Sequence, residues 1–442
     1  MHFIKILLFI AIISINYSSY AFKSEEFWLK NGMQCVVIPN NKVPAISHII
    51  FYKTGAIDEK AGKSGLAHFL EHLMFKSTKN HKTGEFSSLI TQTGGENNAF
   101  TTNDYTGYYE NIPKSELENI IKLEADRMQN LNFNEDEFNK EREVIIEEKR
   151  MRLDNNPEAI LEKKMEVLLY KGHPYEKPTI GKLKDLRALS INDTKKWYDT
   201  YYKPNNAILI VSGDISAKEL KPLAEKYYGS IKSGNIPTRI NFKIPSLKDA
   251  QTVSYSSPLV GNDKLIRRYL APSQNKKLSC SDCYALIVLS ELLGSSQTSL
   301  LYDSLVRKQK LAVNIETSYY DLFLGPSSFA IEAVLADGIN FKTFESALNA
   351  ELNKFINNPI DEQDLARVKN TLTANLIYDH ENLQSLAYIY GQAMIIGVGR
   401  KYVETWEDKI KNVTKEQVQN VAKNILQDKN NVTGYLIKAD VK

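Results

Sequence analysis

The run His68-Phe69-Leu70-Glu71-His72 sets two imidazoles four residues apart with a carboxylate between them. On a helix, side chains four apart stand one above the other. Both imidazoles can then reach one tetrahedral ion, while Glu71 stands beside whatever fills the ion's open position. That chemistry is metal-assisted hydrolysis, with Glu71 taking a proton from the attacking water. The same residues on a polar helix face also read as plain solvated surface. With only seven histidines in the chain, the spacing arises by chance on the order of one time in a hundred, which favours the metal.

The element that must position these groups is an amphipathic helix starting near Ser64. Leu66, Phe69, Leu70, Leu73 and Met74 form its core-facing stripe, and the mean direction of His68, Glu71 and His72 lies about 180° away. A catalytic zinc takes three protein ligands and keeps one position open, so a third ligand must come from elsewhere. The helix after Asn134, with an Asn134 and Glu137 capping box, offers Glu141, Glu143, Glu147 and Glu148. Glu141 and Glu148 share a face with Phe138 and Ile145, so part of that face is buried with two carboxylates on it. Buried carboxylates need a partner, and a metal would be one. A solvated, charge-studded helix is the competing reading.

These helices sit in a longer pattern. Cys35 to Ile38 and Ile46 to Tyr52 read as strands before the His helix, and Ala207 to Val211 as a buried strand closing a first domain, 22–232. Residues 233–249, with Pro237 and Pro245, suit a linker. The order then restarts: strands over Gln251 to Tyr255 and Leu265 to Leu270, then a helix over Ser279 to Leu293. Lys429-Asn430-Asn431 before Val432 to Ile437 echoes Lys203-Pro204-Asn205-Asn206 before Ala207, about 225 residues earlier. The expected fold is α+β. It has two homologous domains, each a mostly antiparallel sheet packed with helices, facing each other across a cleft, with the second (250–442) lacking metal ligands. Clefts of this kind are where binding sites prefer to lie.

At 442 residues, two or more domains are expected. A formal charge of +3 gives no broad basic field, and no glycine-rich phosphate loop is present, so nucleic-acid and nucleotide partners are excluded. Residues 1–21, with Lys5, the apolar run Ile6 to Ile13 and Ser19-Tyr20-Ala21, read as a cleaved signal peptide. No later stretch could span a membrane. Cys35, Cys280 and Cys283 are too few for a disulfide framework. A local bridge between the latter two is open to them in an oxidising compartment, but we read them as an incidental pair on a helix rather than a redox motif. Export with sparse cysteines favours a bacterial periplasm, and the triplets at Asn192 and Asn412 are too common to reverse that.

Three blocks in order carry a resemblance: Gly65-Leu66-Ala67-His68-Phe69-Leu70-Glu71-His72-Leu73-Met74-Phe75-Lys76, then Gly94-Gly95-Glu96-Asn97-Asn98-Ala99-Phe100-Thr101, then Glu141-Arg142-Glu143-Val144-Ile145-Ile146-Glu147-Glu148. With His173-Pro174-Tyr175, Tyr202 to Ala207 and Arg268 to Pro272, the chain resembles the pitrilysin and mitochondrial-processing-peptidase family of inverted zincins over nearly its whole mature length. The resemblance implies a Zn2+ endopeptidase acting on extended peptides or unfolded polypeptides. It makes Glu148 the third ligand, with Glu147 its nearest rival, and Glu141 a supporting carboxylate. It places Asn98, Ala99 and Phe100 on an edge strand that pairs with substrate backbone. It also implies an Arg and a Tyr seven residues apart in the second half that hold the substrate carbonyl. Here Val306 and Val313 occupy those positions, with Arg307 one place off. Either Arg307 serves, or a homologous partner subunit in a dimer supplies the pair, and the departure favours the partner. A non-catalytic or peptide-binding subunit of the same fold is the alternative function.

Overall fold

Three strands of the first half read as almost unbroken apolar runs because they are covered on both faces. The computed structural model describes residues 24–275, 280–427 and 429–439. The expected signal peptide at 1–21 lies outside the described residues, as does Ser279. The first sheet comprises β1 (Glu25–Trp28), β2 (Gln34–Pro39), β3 (Ala45–Tyr52), β4 (Glu96–Thr101), β5 (Thr106–Pro113) and β6 (Ala207–Gly213), in the order β1-β2-β6-β3-β5-β4. The second comprises β7 (Gln251–Ser257), β8 (Lys264–Ala271), β9 (Ala312–Tyr319), β10 (Ser327–Leu335) and β11 (Asn431–Lys438), in the order β7-β11-β8-β10-β9.

Superposing the two orders shows the duplication. β7, β11, β8, β10 and β9 stand where β2, β6, β3, β5 and β4 stand, and each set has one parallel pair, β2 with β6 and β7 with β11. The Asn-Asn echo before β6 and β11 marks equivalent strands. The mixed α+β fold with two homologous halves is therefore as expected.

The halves exchange helices, which the sequence order does not reveal. One face of the first sheet, with Val37 and Ile50, packs on first-half helices including the His helix, Leu66–Leu73. The other face, with Val36, Phe51 and Ile210, is covered by Leu383–Ile396 from the second half. Reciprocally, the first-half helix Pro157–Leu169 covers Ile266, Val432 and Leu436 of the second sheet. Lys264 pairs with Glu158 of that helix, and Arg268 with its Glu162 at 2.5 Å.

Gly391 makes the first of these crossings close, since a Cβ there would lie 2.0 Å from Phe51 Cε2. Glycine to alanine inside a helix ordinarily stabilises by about 0.5–1 kcal/mol. Here we expect Gly391→Ala to destabilise by about 1–3 kcal/mol through overpacking. Urea denaturation reads the sign, and a stabilised variant would show that this interface yields freely.

One expectation is corrected. Cys280 and Cys283 are not a pair on one helix; the local bridge left open to them is formed, a disulfide with Cα atoms 5.4 Å apart. The helix runs Cys283–Gly294, so Cys280 lies in the turn before it, free of helical geometry and able to fold back on the first helical residue. The helix start expected at Ser279 moves accordingly. Cys35 is a buried free thiol.

Candidate metal centre

The His helix begins at Gly65, whose φ of 88° is left-handed and whose Cβ, if present, would lie 2.5 Å from the Ile180 carbonyl oxygen. A glycine cap has no side chain to accept the first N–H groups, so Glu59 does it, accepting from Gly65 N at 3.0 Å and Ala67 N at 2.9 Å. Leu66, Phe69, Leu70, Leu73 and Met74 are buried in the first core. His68, Glu71 and His72 leave that stripe yet are not open to solvent. His68 is 8% and Glu71 9% exposed, because the helix Glu135–Lys149 and strand β4 close over them.

The Glu135–Lys149 helix starts with the expected Asn134 and Glu137 capping box and buries Phe138, Glu141 and Ile145. Its Glu148 Oε2 stands 3.2 Å from His72 Nε2 and 3.6 Å from His68 Nε2. Donor atoms of His68, His72 and Glu148 all lie within 4.8 Å of one another. Glu148 Oε2 is buried without a hydrogen-bond partner, and a buried carboxylate oxygen without a donor is costly. Two imidazole nitrogens and one such oxygen suit a divalent cation of borderline softness, as zinc is. Glu147, the rival, is exposed and paired with Arg150 at 3.2 Å.

Around these atoms the partners are specific. Glu141 Oε1 lies 2.9 Å from His72 Nδ1, and its other oxygen pairs with Lys76. Arg152 Nη1 lies 2.8 Å from Glu148 Oε1, leaving Oε2 to the imidazoles. Thr101 Oγ1 donates to Glu71 Oε2 at 2.5 Å. Burial, and then neighbouring His72, lower His68 to about 4. Burial would also lower His72, but the Glu141 and Glu148 carboxylates outweigh it and raise it to about 9. Burial raises the Glu71 carboxyl above its ordinary value, against the Thr101 hydrogen bond. The facing His72 holds Glu148 below the usual carboxylate range.

Asn98, Ala99 and Phe100 lie on β4, an outer edge of the first sheet. Ala99 N donates to Asn98 Oδ1 at 2.8 Å. The Phe100 ring turns away from the His helix, towards Phe51, Tyr105 and Tyr388, and fills the notch left by Gly107. Arg307, on the π-helical segment Tyr302–Lys308, is exposed and pairs with Asp303 at 3.2 Å rather than with Glu71 or Glu148. Val306 is half-buried against the second core, and Val313 is exposed on β9. Sequence reasoning passed over Thr101 and Arg152. The spacing of Glu148 and Arg152, four apart on a helix, was a readable signal; nothing local marked Thr101.

A duplicated α+β fold thus brings two imidazoles, a glutamate and a second, hydroxyl-held glutamate together at one helix crossing. Residues 35–182 match the model of Insulinase (Peptidase family M16), and residues 188–372 that of Peptidase M16 inactive domain. The chain is 34% identical over 386 residues to the zinc protease PqqE of Helicobacter pylori, covering 86% of each. It is 24% identical over 432 residues to a probable mitochondrial-processing peptidase subunit beta of Schizosaccharomyces pombe, covering 92% of this chain and 90% of that one. A crystal structure of a protease from Helicobacter pylori superposes with a TM-score of 0.88 at 32% identity, covering 95% of this chain and all (100%) of that one. The chain therefore belongs to the M16, or pitrilysin, family of peptidases.

Proposed function

We propose that this protein is a zinc metalloendopeptidase acting on extended peptides or unfolded polypeptides. In this reading His68, His72 and Glu148 hold the metal and Glu71 is the general base. The observation that carries it is the buried Glu148 Oε2, which has no hydrogen bond and faces two imidazole nitrogens, with Glu71, from the same helix as the imidazoles, fixed by Thr101. When bound, zinc lowers the pKa of a water and polarises a carbonyl. Glu71 takes the proton of the attacking water and hands it to the leaving amine. The β4 edge pairs with substrate backbone through Asn98, Ala99 and Phe100, a mode with loose sequence preference.

Glu141 acts through His72 by orienting the ring and raising its basicity, as partners of ligating histidines do. Glu141→Gln should weaken zinc affinity about 10–100-fold, read by competition with a chromophoric chelator. An unchanged affinity would remove Glu141 from the site.

Because Arg307 is engaged with Asp303, the proposal includes a homologous subunit that brings an Arg and a Tyr to the substrate carbonyl. A periplasmic location is part of the same reading, supported by the Cys280–Cys283 disulfide, a bond of oxidising compartments. Among the described residues, no helix is long and apolar enough to cross a membrane. The deciding experiment measures zinc content and peptide cleavage by the purified chain, alone and with a homologous subunit. Zinc with cleavage supports the peptidase. Saturable peptide binding without cleavage in either arm points to the non-catalytic alternative.

A further inference from the structure

The turn that follows β4 is tied to several parts of the molecule at once. Thr101, which holds Glu71, is the last residue of β4. Thr102 closes the turn, its N donating to the Tyr105 carbonyl at 2.9 Å while its Oγ1 accepts from Asp104 N at 3.1 Å and Tyr105 N at 3.0 Å. The Thr102 and Asn103 carbonyls accept from Ala56 N and Ile57 N at 3.1 and 2.8 Å, in the segment that leads to Glu59, the cap of the His helix. Arg239, from the stretch that joins the halves, donates to Asp58 and to the Asp104 carbonyl. The Asp104 side chain makes the tie to the second half. It is 2% exposed, and its carboxylate accepts from Tyr175 Oη at 2.6 Å and from Leu324 N at 3.0 Å. The Tyr175 hydroxyl in turn accepts from Gly325 N at 2.9 Å. The His173-Pro174-Tyr175 run, which takes no part in the metal centre, presents that hydroxyl, with His173 Nδ1 accepting from Tyr175 N at 3.2 Å.

We propose that Asp104 is a positioning residue for peptide hydrolysis, tying the second half to the end of β4 so that Thr101 holds Glu71 in register with the metal ligands. The inference rests on the peptidase reading above. The segment between β9 and β10 gives two successive N–H groups, of Leu324 and Gly325, to first-half side chains. Its Leu322 lies in the apolar cluster with Phe51 and Ile210, so packing docks the segment and these hydrogen bonds orient it. Loss of the Tyr175 hydroxyl would leave the buried Gly325 N without its acceptor, an arrangement folded chains avoid. Asp104 stands three residues after Thr101, in a turn whose backbone its own hydrogen bonds fix, so a shift of the Asp104 side chain carries to Thr101 Oγ1. Glu71 takes its orientation from that hydroxyl, and a misplacement on the order of 1 Å by a change outside the reacting groups can cost about 10²-fold in rate. Asp104 and Tyr175 are not among the donors of the metal centre, so their effect falls on rate and not on metal content.

The test uses the purified, zinc-loaded full chain, with a homologous subunit where cleavage needs one, and follows steady-state cleavage of a fluorogenic peptide. We expect Asp104→Asn to keep zinc and to lower kcat about 10–100-fold, with KM within about twofold of the wild type. Tyr175→Phe, which removes only the hydroxyl shared by Asp104 and Gly325, should show a smaller loss of the same kind, and it carries the test if Asp104→Asn does not fold. Tyr402→Phe breaks a similar tyrosine–aspartate bond, to Asp321 at 2.8 Å, away from β4, and should leave kcat unchanged. Because Asp104 acts through Thr101, adding Asp104→Asn to Thr101→Val should cost little beyond the loss in Thr101→Val alone, as for residues that act as a unit. Wild-type kcat in the folded Asp104 and Tyr175 variants, an equal loss in Tyr402→Phe, or losses that simply multiply in the double variant would overturn the positioning role and leave the peptidase standing. No cleavage by the wild type, with or without a homologous subunit, would overturn both.

Discussion

Glu71→Gln is expected to keep its zinc and lose at least 10²–10⁴-fold in peptide hydrolysis, the range for removing a positioned general base. The amide has the shape of the carboxylate, and its oxygen still accepts from Thr101 Oγ1, now 2.5 Å from Glu71 Oε2. His68, His72 and Glu148 are untouched, so metal content should remain near that of the wild type. What disappears is the proton acceptor. Burial raises the Glu71 carboxyl, which moves a carboxylate base towards the neutral range where it works best. Metal analysis and single-turnover cleavage, run beside His68→Ala, read the two effects apart. His68→Ala should lose metal and activity together. A Glu71→Gln enzyme at full activity would sink the assignment, and one that loses its metal would make Glu71 a ligand.

The sequence showed the parts of the site that obey one helix's periodicity. The five-residue stripe from Leu66 to Met74 is buried, and His68, Glu71 and His72 leave it together. The capping box at Asn134 and Glu137 forms, because cap chemistry is local. Spacing could not choose among the glutamates of that helix. Glu147 and Glu148 are neighbours in sequence, and only the family resemblance separated them; in the fold one meets Arg150 and the other the imidazoles. Thr101 was invisible for the same reason, since its partner lies 30 residues away in the chain. The helix exchange escaped because Pro157–Leu169 and Leu383–Ile396 look like ordinary buried helices of their own halves. Apolar faces reveal that they are covered, not by which sheet. The disulfide stayed an open possibility in the sequence because the helix was expected to begin before Cys280 rather than at Cys283.

Arg127 carries the largest expected effect on stability. It is 1% exposed, beneath the chain that follows the His helix, with its guanidinium carbon 4.5 Å from the Phe86 ring centre, 4.6 Å from Tyr108 and 5.5 Å from Phe75. It pairs with Glu124 and, at 3.3 Å, with Glu110, whose other oxygen lies 2.8 Å from His48 Nδ1. The rings face a cation that lacks hydrogen-bond partners on Nε and Nη1, a contact that strengthens when desolvated. Arg127→Met would strand two buried carboxylates, at a cost of about 3–5 kcal/mol, much of the roughly 5–15 kcal/mol that holds an ordinary domain. Burial already raises both Glu110 and Glu124, and loss of Arg127 removes the charge that opposes the rise. A carboxyl raised in the folded state loses stability as pH climbs from the unfolded value, about 4.3, towards the folded one. The deficit should therefore be larger at pH 8 than at pH 5 in urea denaturation. Equal deficits would assign the loss to packing alone. Adding Glu124→Leu to Arg127→Met should recover part of the stability, since replacing a whole buried pair by apolar groups costs far less than breaking it.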